Sequence, residues 1–188
     1  YVMALKNEGD PAKRAEVLED MEQAIAIQES FMNTGNKVLD VILTTKSLQC
    51  QKKKITLNAM VDGDLLGEIH VKDICSLFGN VLDNAIEATQ QLEDEEKRII
   101  TLSVRRRNQF IIVECENCSD SENVRLRSSH NKRRFRKDNL PRTTKKDNVK
   151  HGFGLKSIAQ VAEKYGGAMN CSYEDGWFKV KVLLSTKI

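Results

Sequence analysis

Hydrophobic and polar positions follow a helical spacing in several stretches of the chain. The clearest stretch is "VKDICSLFGNVLDNAIEATQQL", residues 71–92, whose apolar positions recur every three or four residues and predict one buried helix face. Weaker helical patterns occupy residues 11–32, 38–50 and 151–167. The buried face of the strongest helix is predicted to consist of Ile74, Leu77, Phe78, Val81, Leu82, Ala85 and Ile86.

Stretches typical of β-strands lie between and after these helices. "KKKITLNAMVDGD" is predicted to be a strand that ends in a turn. "RIITLSVRR" and "QFIIVEC" are joined by a short turn at Asn108, and this arrangement indicates a β-hairpin. "AMNCSYEDGWFKVKVLLS" closes the chain as a second hairpin, with Asp175-Gly176 as its two-residue turn. The order of the elements predicts an α+β fold, a sandwich of a helix layer and a strand layer.

The composition is that of a globular protein with one unusual segment. The 188 residues carry 30 basic and 27 acidic side chains, and no apolar run is long enough to span a bilayer. The five cysteines are irregularly spaced, which favours a reducing environment over a disulfide framework. Residues 125–150 contain eleven Lys or Arg and only two acids. This basic segment is compatible with nucleic-acid binding, with a solvated loop, or with a lid over an anionic ligand.

Two asparagines lie on the polar side of the strongest predicted helix. Asn80, Asn84 and Glu87 are spaced so that their side chains form one stripe beside the apolar face. An amide oxygen is a suitable ligand for Mg²⁺, which takes few protein ligands and completes its shell with water and phosphate. Alternatively both are surface asparagines, although asparagine is a poor helix former in mid-helix. The spacing alone leaves both interpretations open.

Two further patterns carry weaker information. Gly152-x-Gly154 directly before a helix offers backbone N–H groups at the positive end of a helix dipole, which suits a phosphate. An ordinary glycine-containing helix start has the same pattern. Cys115-x-x-Cys118 lacks the second pair of ligands that a structural zinc site needs, and no helix follows it as in a redox pair. We therefore expect packed or half-buried thiols at these two positions.

In combination the motifs resemble the GHKL ATP-binding fold. "GNVLDNAIEA" is followed downstream by "TTKKDNVKHGFGLKSI", with a strand hairpin and a long loop between them. "NTGNKVLDVILTTKSLQCQKKKI", ahead of the first motif, is similar to sensor histidine kinases of the AgrC-like, peptide quorum-sensing type. The resemblance covers roughly residues 10–186. It implies a two-layer sandwich of the Bergerat type, with a mixed sheet and the helices on one face.

The resemblance implies ATP and Mg²⁺ as ligands and gives the candidate residues their roles. Asn84 is expected to be the main Mg²⁺ ligand, with Asn80 supporting the metal or the nucleotide. Asn117 occupies the position at which most relatives carry the aspartate that binds the adenine amine. An amide oxygen can accept this hydrogen bond, with less charge assistance. The phosphates are expected to contact the lid and the glycine turn, at Thr144, Lys145, Lys150, Gly152, Gly154 and Leu155.

Two positions distinguish this chain from other members of the superfamily. ATP-hydrolysing relatives carry a glutamate that activates water four residues before the metal-binding asparagine, whereas this chain has Asn80. An asparagine cannot act as a general base at neutral pH, so the position favours a kinase over a chaperone or topoisomerase ATPase. Glu87 belongs to the expected nucleotide site, where many histidine kinases place a basic residue on phosphate. That basic contact is absent here, as in the AgrC-like group.

The resemblance implies the ATP-binding catalytic domain of a two-component sensor histidine kinase, a phosphotransferase. Residues 1–33 are expected to be the remnant of a dimerisation and phosphoacceptor hairpin, and residues 34–188 the catalytic domain, with a lid at about 119–150. None of the three histidines lies on the predicted hairpin. The sequence is therefore expected to be a fragment that lacks its phosphoacceptor histidine.

The implied partners are a response regulator, the phosphoacceptor hairpin of the same or a partner chain, and a second copy in a full-length homodimer. No nucleic-acid partner is expected, and membrane contact is expected only through an absent N-terminal sensor region. The chain is thus expected to be the cytoplasmic portion of a membrane-bound kinase. The alternatives are an anti-sigma-type Ser/Thr kinase, a nucleotide-binding regulatory module without transferase activity, and a nucleic-acid binder that uses the basic segment.

Overall fold

A computed structural model describes residues 32–119 and 154–185 of the chain. Most of the predicted N-terminal helix (residues 11–32) and nearly all of the predicted lid (residues 119–150) lie outside the described residues. The described residues form three helices and five strands: α1 Lys37–Lys52, β1 Thr56–Val61, α2 Val71–Thr89, β2 Ile99–Arg107, β3 Phe110–Cys118, α3 Gly154–Lys164, β4 Ala168–Glu174 and β5 Trp177–Ser185.

The five strands form one mixed sheet in the order β1-β2-β3-β5-β4. Strands β1 and β2 pair in parallel because α2 connects them, and the remaining neighbours are antiparallel. Both predicted hairpins are confirmed. Asn108 turns β2 into β3 with a φ of 56°, while Asp175 and Gly176 have φ values of 50° and 81°, as a type I′ turn requires.

The helices pack on one face of the sheet. Leu102 of β2 pairs with Cys115 of β3, which in turn pairs with Val180 of β5, and all three are buried against the helices. Helix α2 packs on α1, α3, β2 and β3, and each of its seven predicted face positions is buried. The predicted α+β fold, with a mixed sheet and helices on one face, is therefore confirmed. None of the described helices is long and apolar enough to cross a membrane.

Helix α1 is capped at its beginning by Asn36. The Asn36 side-chain oxygen accepts hydrogen bonds from the backbone N–H groups of Val38 and Leu39, both at 3.1 Å. Leu39 and Leu43 then enter the same hydrophobic core as α2. Helix α1 is therefore part of the sandwich.

A tight glycine turn joins α3 to β4. Gly166 has a φ of 62°, and its N–H donates to the carbonyl of Glu163 at 3.1 Å. The N–H of Gly167 donates to the carbonyl of Ala162 at 2.9 Å, which completes a Schellman motif. Gly167 lies so close to β5 that a Cβ on it would be 1.8 Å from the carbonyl oxygen of Leu183.

A second contact ties the end of α3 to the beginning of α2. The Tyr165 hydroxyl accepts a hydrogen bond from the backbone N–H of His70 at 2.9 Å and donates to Asp73 Oδ2 at 2.7 Å. Lys164 forms a salt bridge with the same carboxylate oxygen. The hydrogen bond from Lys164, assisted by that from Tyr165, holds the pKa of Asp73 below its usual value.

The close approach at Gly167 predicts an unequal effect of two glycine-to-alanine substitutions. We expect Gly167→Ala to lower the free energy of unfolding by about 3 kcal/mol or more, because α3 and β5 must move apart to admit the Cβ. The matched control is Gly79→Ala in α2, where an added Cβ meets nothing within 4 Å. It should raise the free energy of unfolding by about 0.5–1 kcal/mol. Equilibrium urea denaturation measures both values, and a Gly167→Ala protein of wild-type stability would contradict the packing.

The contact around Asp73 predicts a pH-dependent contribution to stability. Because the pKa of Asp73 is lower in the folded protein, its contribution is present above the unfolded-state value of about 4. That contribution is lost as the pH falls through the lowered value. We expect Asp73→Asn to lower the melting temperature at neutral pH, and the difference from wild type to shrink below about pH 4. Thermal unfolding across this range measures the effect, and a difference that stays constant with pH would exclude this role of the carboxylate.

Candidate functional site

The polar stripe of α2 faces the beginning of α3. Asn80 and Asn84 are both half-buried, and a Cβ built on Gly154 would lie 3.4 Å from Asn80 Oδ1 and from both Asn84 Nδ2 and Asn84 Oδ1. One point beside the first residue of α3 is therefore within 3.4 Å of three polar side-chain atoms. The structure brings together three residues that the sequence analysis assigned to one site, although they come from two separate motifs.

The two amides differ in their hydrogen bonds. Asn80 Nδ2 donates to the backbone carbonyl of Ser76 at 2.6 Å, one turn earlier in α2. This bond fixes the side chain with its oxygen toward Gly154. Asn84 Nδ2 is buried and has no hydrogen-bond partner in the part of the chain that the structure describes. A buried donor without a partner costs about 1–3 kcal/mol, and such groups in native proteins usually have a ligand or an ordered water as partner.

The N-terminal end of α3, which is the positive end of its helix dipole, lies beside Asn80 and Asn84. The described part of the helix starts at Gly154, directly after residues that the structure does not describe. The N–H groups in the first turn of a helix have no partner within that helix, so they can bind an anion. The side chain of Leu155 packs against the hydrophobic core, which leaves the backbone of this residue as the group that can face a ligand. Gly152 lies outside the described residues.

Asn117 lies inside strand β3, two residues beyond the end of the predicted strand "QFIIVEC". The strand continues to Cys118 because its polar end has cross-strand partners. Asn117 pairs with Ile100 and Phe178, and Glu116 forms a salt bridge with Lys179 at 2.5 Å. Asn117 is only 3% exposed, faces the helices, and donates from Nδ2 to the carbonyl of Cys118 at 2.9 Å.

The two cysteines around Asn117 point to opposite faces of the sheet, because they are an odd number of residues apart in one strand. Cys115 is buried on the helix side, and burial raises its pKa to about 12. Cys118 is half-buried on the other side, and burial raises its pKa as well. The prediction of packed and half-buried thiols is confirmed. Within residues 32–119 and 154–185, no three His, Cys, Asp or Glu side chains are grouped as metal ligands.

Of the remaining candidates, only Glu87 lies in the part of the chain that the structure describes. Glu87 is half-buried on α2, one turn beyond Asn84. Thr144, Lys145 and Lys150 lie outside the described residues. Sequence reasoning missed Thr89, which is 0% exposed and has a side-chain oxygen without a hydrogen-bond partner among the described residues. Thr89 lies three residues after Ile86 and therefore continues the apolar stripe of α2. This spacing was the sequence signal that could have identified it.

The residues present fit a magnesium-bound phosphate chain. The amide oxygens of Asn80 and Asn84 are neutral oxygen ligands of the kind that Mg²⁺ accepts. The unpartnered Asn84 Nδ2 and the first turn of α3 supply donors for phosphate oxygens at the same place. The absence of a Cβ at Gly154 keeps the space between these groups open.

Comparisons with known proteins agree with this geometry. Residues 69–185 match the family model of the GHKL domain. Two crystal forms of the catalytic domain of histidine kinase ThkA give TM-scores of 0.54 and 0.57 at 15% and 17% identity. Each alignment covers 82% of this chain, and the two span 94% and 93% of the ThkA catalytic-domain chains. The structure of the histidine kinase AdeS of Acinetobacter baumannii gives a TM-score of 0.52 at 12% identity, and the alignment covers 96% of this chain and 87% of that chain. No curated protein matches the sequence.

The structural neighbours are distant in sequence and show the fold alone. The match to the family model shows more than the fold, because residues 69–185 make up more than half of the chain. They contain α2 with both asparagines, α3 with Gly154, and every strand except β1. This protein therefore belongs to the GHKL family.

Proposed function

We propose that this chain is the ATP-binding catalytic domain of a two-component sensor histidine kinase of the AgrC-like type. The observation that carries the proposal is the convergence of Asn80, Asn84 and Gly154 on one point, with the buried Asn84 Nδ2 lacking a partner in the described residues. A phosphate chain with its metal ion would satisfy this donor and use both amide oxygens. The names of ThkA and AdeS, which are histidine kinases, agree with the proposal.

Each residue then has a definite task in nucleotide binding. Asn84, supported by Asn80, would hold Mg²⁺ through oxygen, while Asn84 Nδ2 and the first turn of α3 would bind phosphate oxygens. A bound metal ion would neutralise part of the charge that builds up during phosphoryl transfer. We extend the site to the lid and the glycine turn, through Thr144, Lys145, Lys150 and Gly152, on the sequence motifs alone. The protein contributes positioning and charge neutralisation, which account for most of catalysis in this reaction class.

The local hydrogen bonds favour phosphoryl transfer over ATP hydrolysis. Asn80 stands where a hydrolytic relative needs a general base, and its amide is held in place by the Ser76 carbonyl. A neutral amide cannot take a proton from water. His70 is an unsuitable acceptor, because its Nδ1 accepts a hydrogen bond from the backbone N–H of Lys72 at 3.1 Å and caps α2. The acceptor in our proposal is a histidine on a dimerisation hairpin.

The proposal extends to domain organisation and partners. We assign residues 1–33 to the end of the hairpin and residues 34–188 to the catalytic domain, and the packing of α1 into the core supports a boundary before α1. The partners are then the hairpin of the same or a partner chain, a second copy in the full-length protein, and the aspartate of a response regulator. The domain would work as the cytoplasmic part of a membrane-bound sensor.

Removal of the central amide should abolish most of the nucleotide affinity. We expect Asn84→Ala to weaken Mg²⁺·ATP binding at least tenfold, because the substitution removes a metal ligand and a phosphate donor together. Asp83→Ala on the same helix is the matched control, since Asp83 is exposed and pairs with Lys46. It should bind like wild type. Isothermal titration calorimetry measures all three, and equal affinity of wild type and Asn84→Ala would overturn the site.

The reaction itself is tested by supplying an acceptor. We expect this chain, mixed with a histidine-containing dimerisation hairpin and radiolabelled ATP, to label the hairpin with phosphate that is lost in acid. Acid-stable label would instead identify a Ser/Thr kinase. Nucleotide binding with no transfer to any of a panel of such hairpins would favour the regulatory module. Replacement of the hairpin histidine by alanine is the control that ties the label to that side chain.

A further inference from the structure

Thr89 is a buried polar residue that packing alone does not explain. It is the last residue of α2 and extends the buried stripe, yet its Oγ1 has no hydrogen-bond partner in the described part of the chain. Valine has nearly the same shape and would fill this position without burying a hydroxyl. An unsatisfied buried hydroxyl is destabilising, so its presence is consistent with a ligand or an ordered water as its partner.

The hydrogen bonds of the backbone place Thr89 at the same end of the fold as Asn117. The N–H of Leu92 donates to the carbonyl of Thr89 at 3.2 Å, and the carbonyl of Leu92 accepts from Arg98 Nε and Nη2 at 3.0 and 2.8 Å. These bonds tie the end of α2 to the beginning of β2. There Ile100 pairs with Asn117.

Both side chains point into the layer between α2 and the sheet. Thr89 continues the stripe of α2 that packs on β2 and β3, and Asn117 continues the helix-facing row of β3 after Cys115. The two polar groups are therefore the last members of two facing apolar rows. Beyond this end, β3 leads into the segment that precedes α3, and the hydroxyl of Tyr173 donates to the carbonyl of Ser119 at 3.0 Å.

The two groups are complementary to one kind of nucleobase edge. Asn117 Nδ2 is engaged with the Cys118 carbonyl, so its Oδ1 is directed the other way and can accept a hydrogen bond. The hydroxyl of Thr89 can donate. Adenine presents an amine donor next to a ring-nitrogen acceptor, which matches this pair. Guanine presents a carbonyl acceptor next to a ring N–H donor. Its donor and acceptor are therefore exchanged relative to those of adenine and do not match this pair.

We propose that Thr89 is a specificity-determining residue that selects adenine together with Asn117, through a hydrogen bond from its hydroxyl, direct or through one water, to the base edge. The inference rests on the proposed ATP binding and adds a residue of α2 that lies away from the phosphate-binding asparagines. A threonine whose role is only to fill the core is the competing explanation. The two explanations differ in whether nucleotide affinity depends on the hydroxyl.

The test compares Thr89→Val, which removes the hydroxyl and keeps the shape, with Thr89→Ser, which keeps the hydroxyl. The Kd values of wild type and both variants are measured for ATP, GTP and inorganic tripolyphosphate, each with Mg²⁺. We expect Thr89→Val to bind ATP about five- to tenfold more weakly, the effect of one hydrogen bond. Thr89→Ser should stay within about twofold of wild type. Tripolyphosphate affinity should be unchanged in both variants, since neither touches the phosphate site.

Thermal unfolding accompanies the titrations. The melting temperature of Thr89→Val should equal or exceed that of wild type, because the substitution removes a buried polar group without a partner. Wild-type ATP affinity in Thr89→Val would overturn the inference and leave the proposed function intact. Equal weakening for ATP and tripolyphosphate would also overturn it, since it would indicate a structural disturbance. Failure of the wild-type protein to bind Mg²⁺·ATP at all would overturn the proposed function itself.

Asn117→Ala provides an independent check by double-mutant cycle. If both side chains bind the same base edge, the loss of ATP affinity in Thr89→Val/Asn117→Ala will differ from the product of the two single losses. Losses that multiply independently would show that the two groups do not share a ligand and would overturn their joint role.

Discussion

The packing of α2 on the middle of the sheet is the contact on which the other parts of the candidate site depend. The apolar stripe of this helix fixes its rotation about its own axis, since seven buried positions must face β2, β3 and the neighbouring helices at once. Once that rotation is fixed, Asn80 and Asn84 can only point toward α3. The core therefore determines the direction of the polar stripe, and substitutions that turn α2 would disturb the site without touching either asparagine.

Helix α2 also buries two polar atoms that destabilise the fold and that the hydrophobic core does not require. Asn84 Nδ2 and Thr89 Oγ1 are the buried side-chain atoms that lack a partner in the described residues, and both belong to α2. At about 1–3 kcal/mol each, they take up a considerable part of a typical folding free energy of about 5–15 kcal/mol. The contacts at the other end of α3, from Tyr165 and Lys164 to Asp73, offset part of this cost and hold α3 against α2. The stabilising contacts and the candidate ligand site thus lie at different ends of the same helix pair.

Much of this arrangement could be predicted from the sequence, and the exceptions have a physical reason. Periodicity predicted every strand and all three described helices, because burial of one face leaves a clear pattern in helices and in half-buried strands. It placed the end of β3 too early, at Cys115, whereas the strand continues through Glu116 and Asn117 to Cys118. Polar residues can occupy a strand when the neighbouring strand offers ion-pair partners, and cross-strand partners such as Lys179 cannot be read from local sequence. Asn80 and Asn84 were found by their spacing. Their distance from Gly154 depends on tertiary packing and needed the structure.

The burial of Asn117 explains why an amide can be an advantage over a carboxylate at this position. The residue is 3% exposed and lies in a row with Cys115, whose own pKa is raised to about 12 by burial. Burial would also raise the pKa of an aspartate here, because a low-dielectric environment disfavours the charged form. An asparagine has no titrating group, so its oxygen stays an acceptor across the physiological pH range. In the proposed nucleotide site it would give up the charge-assisted part of a hydrogen bond to a base amine. The neutral hydroxyl of Thr89, which we propose for the same site, would recover part of that loss without placing a charge in the core.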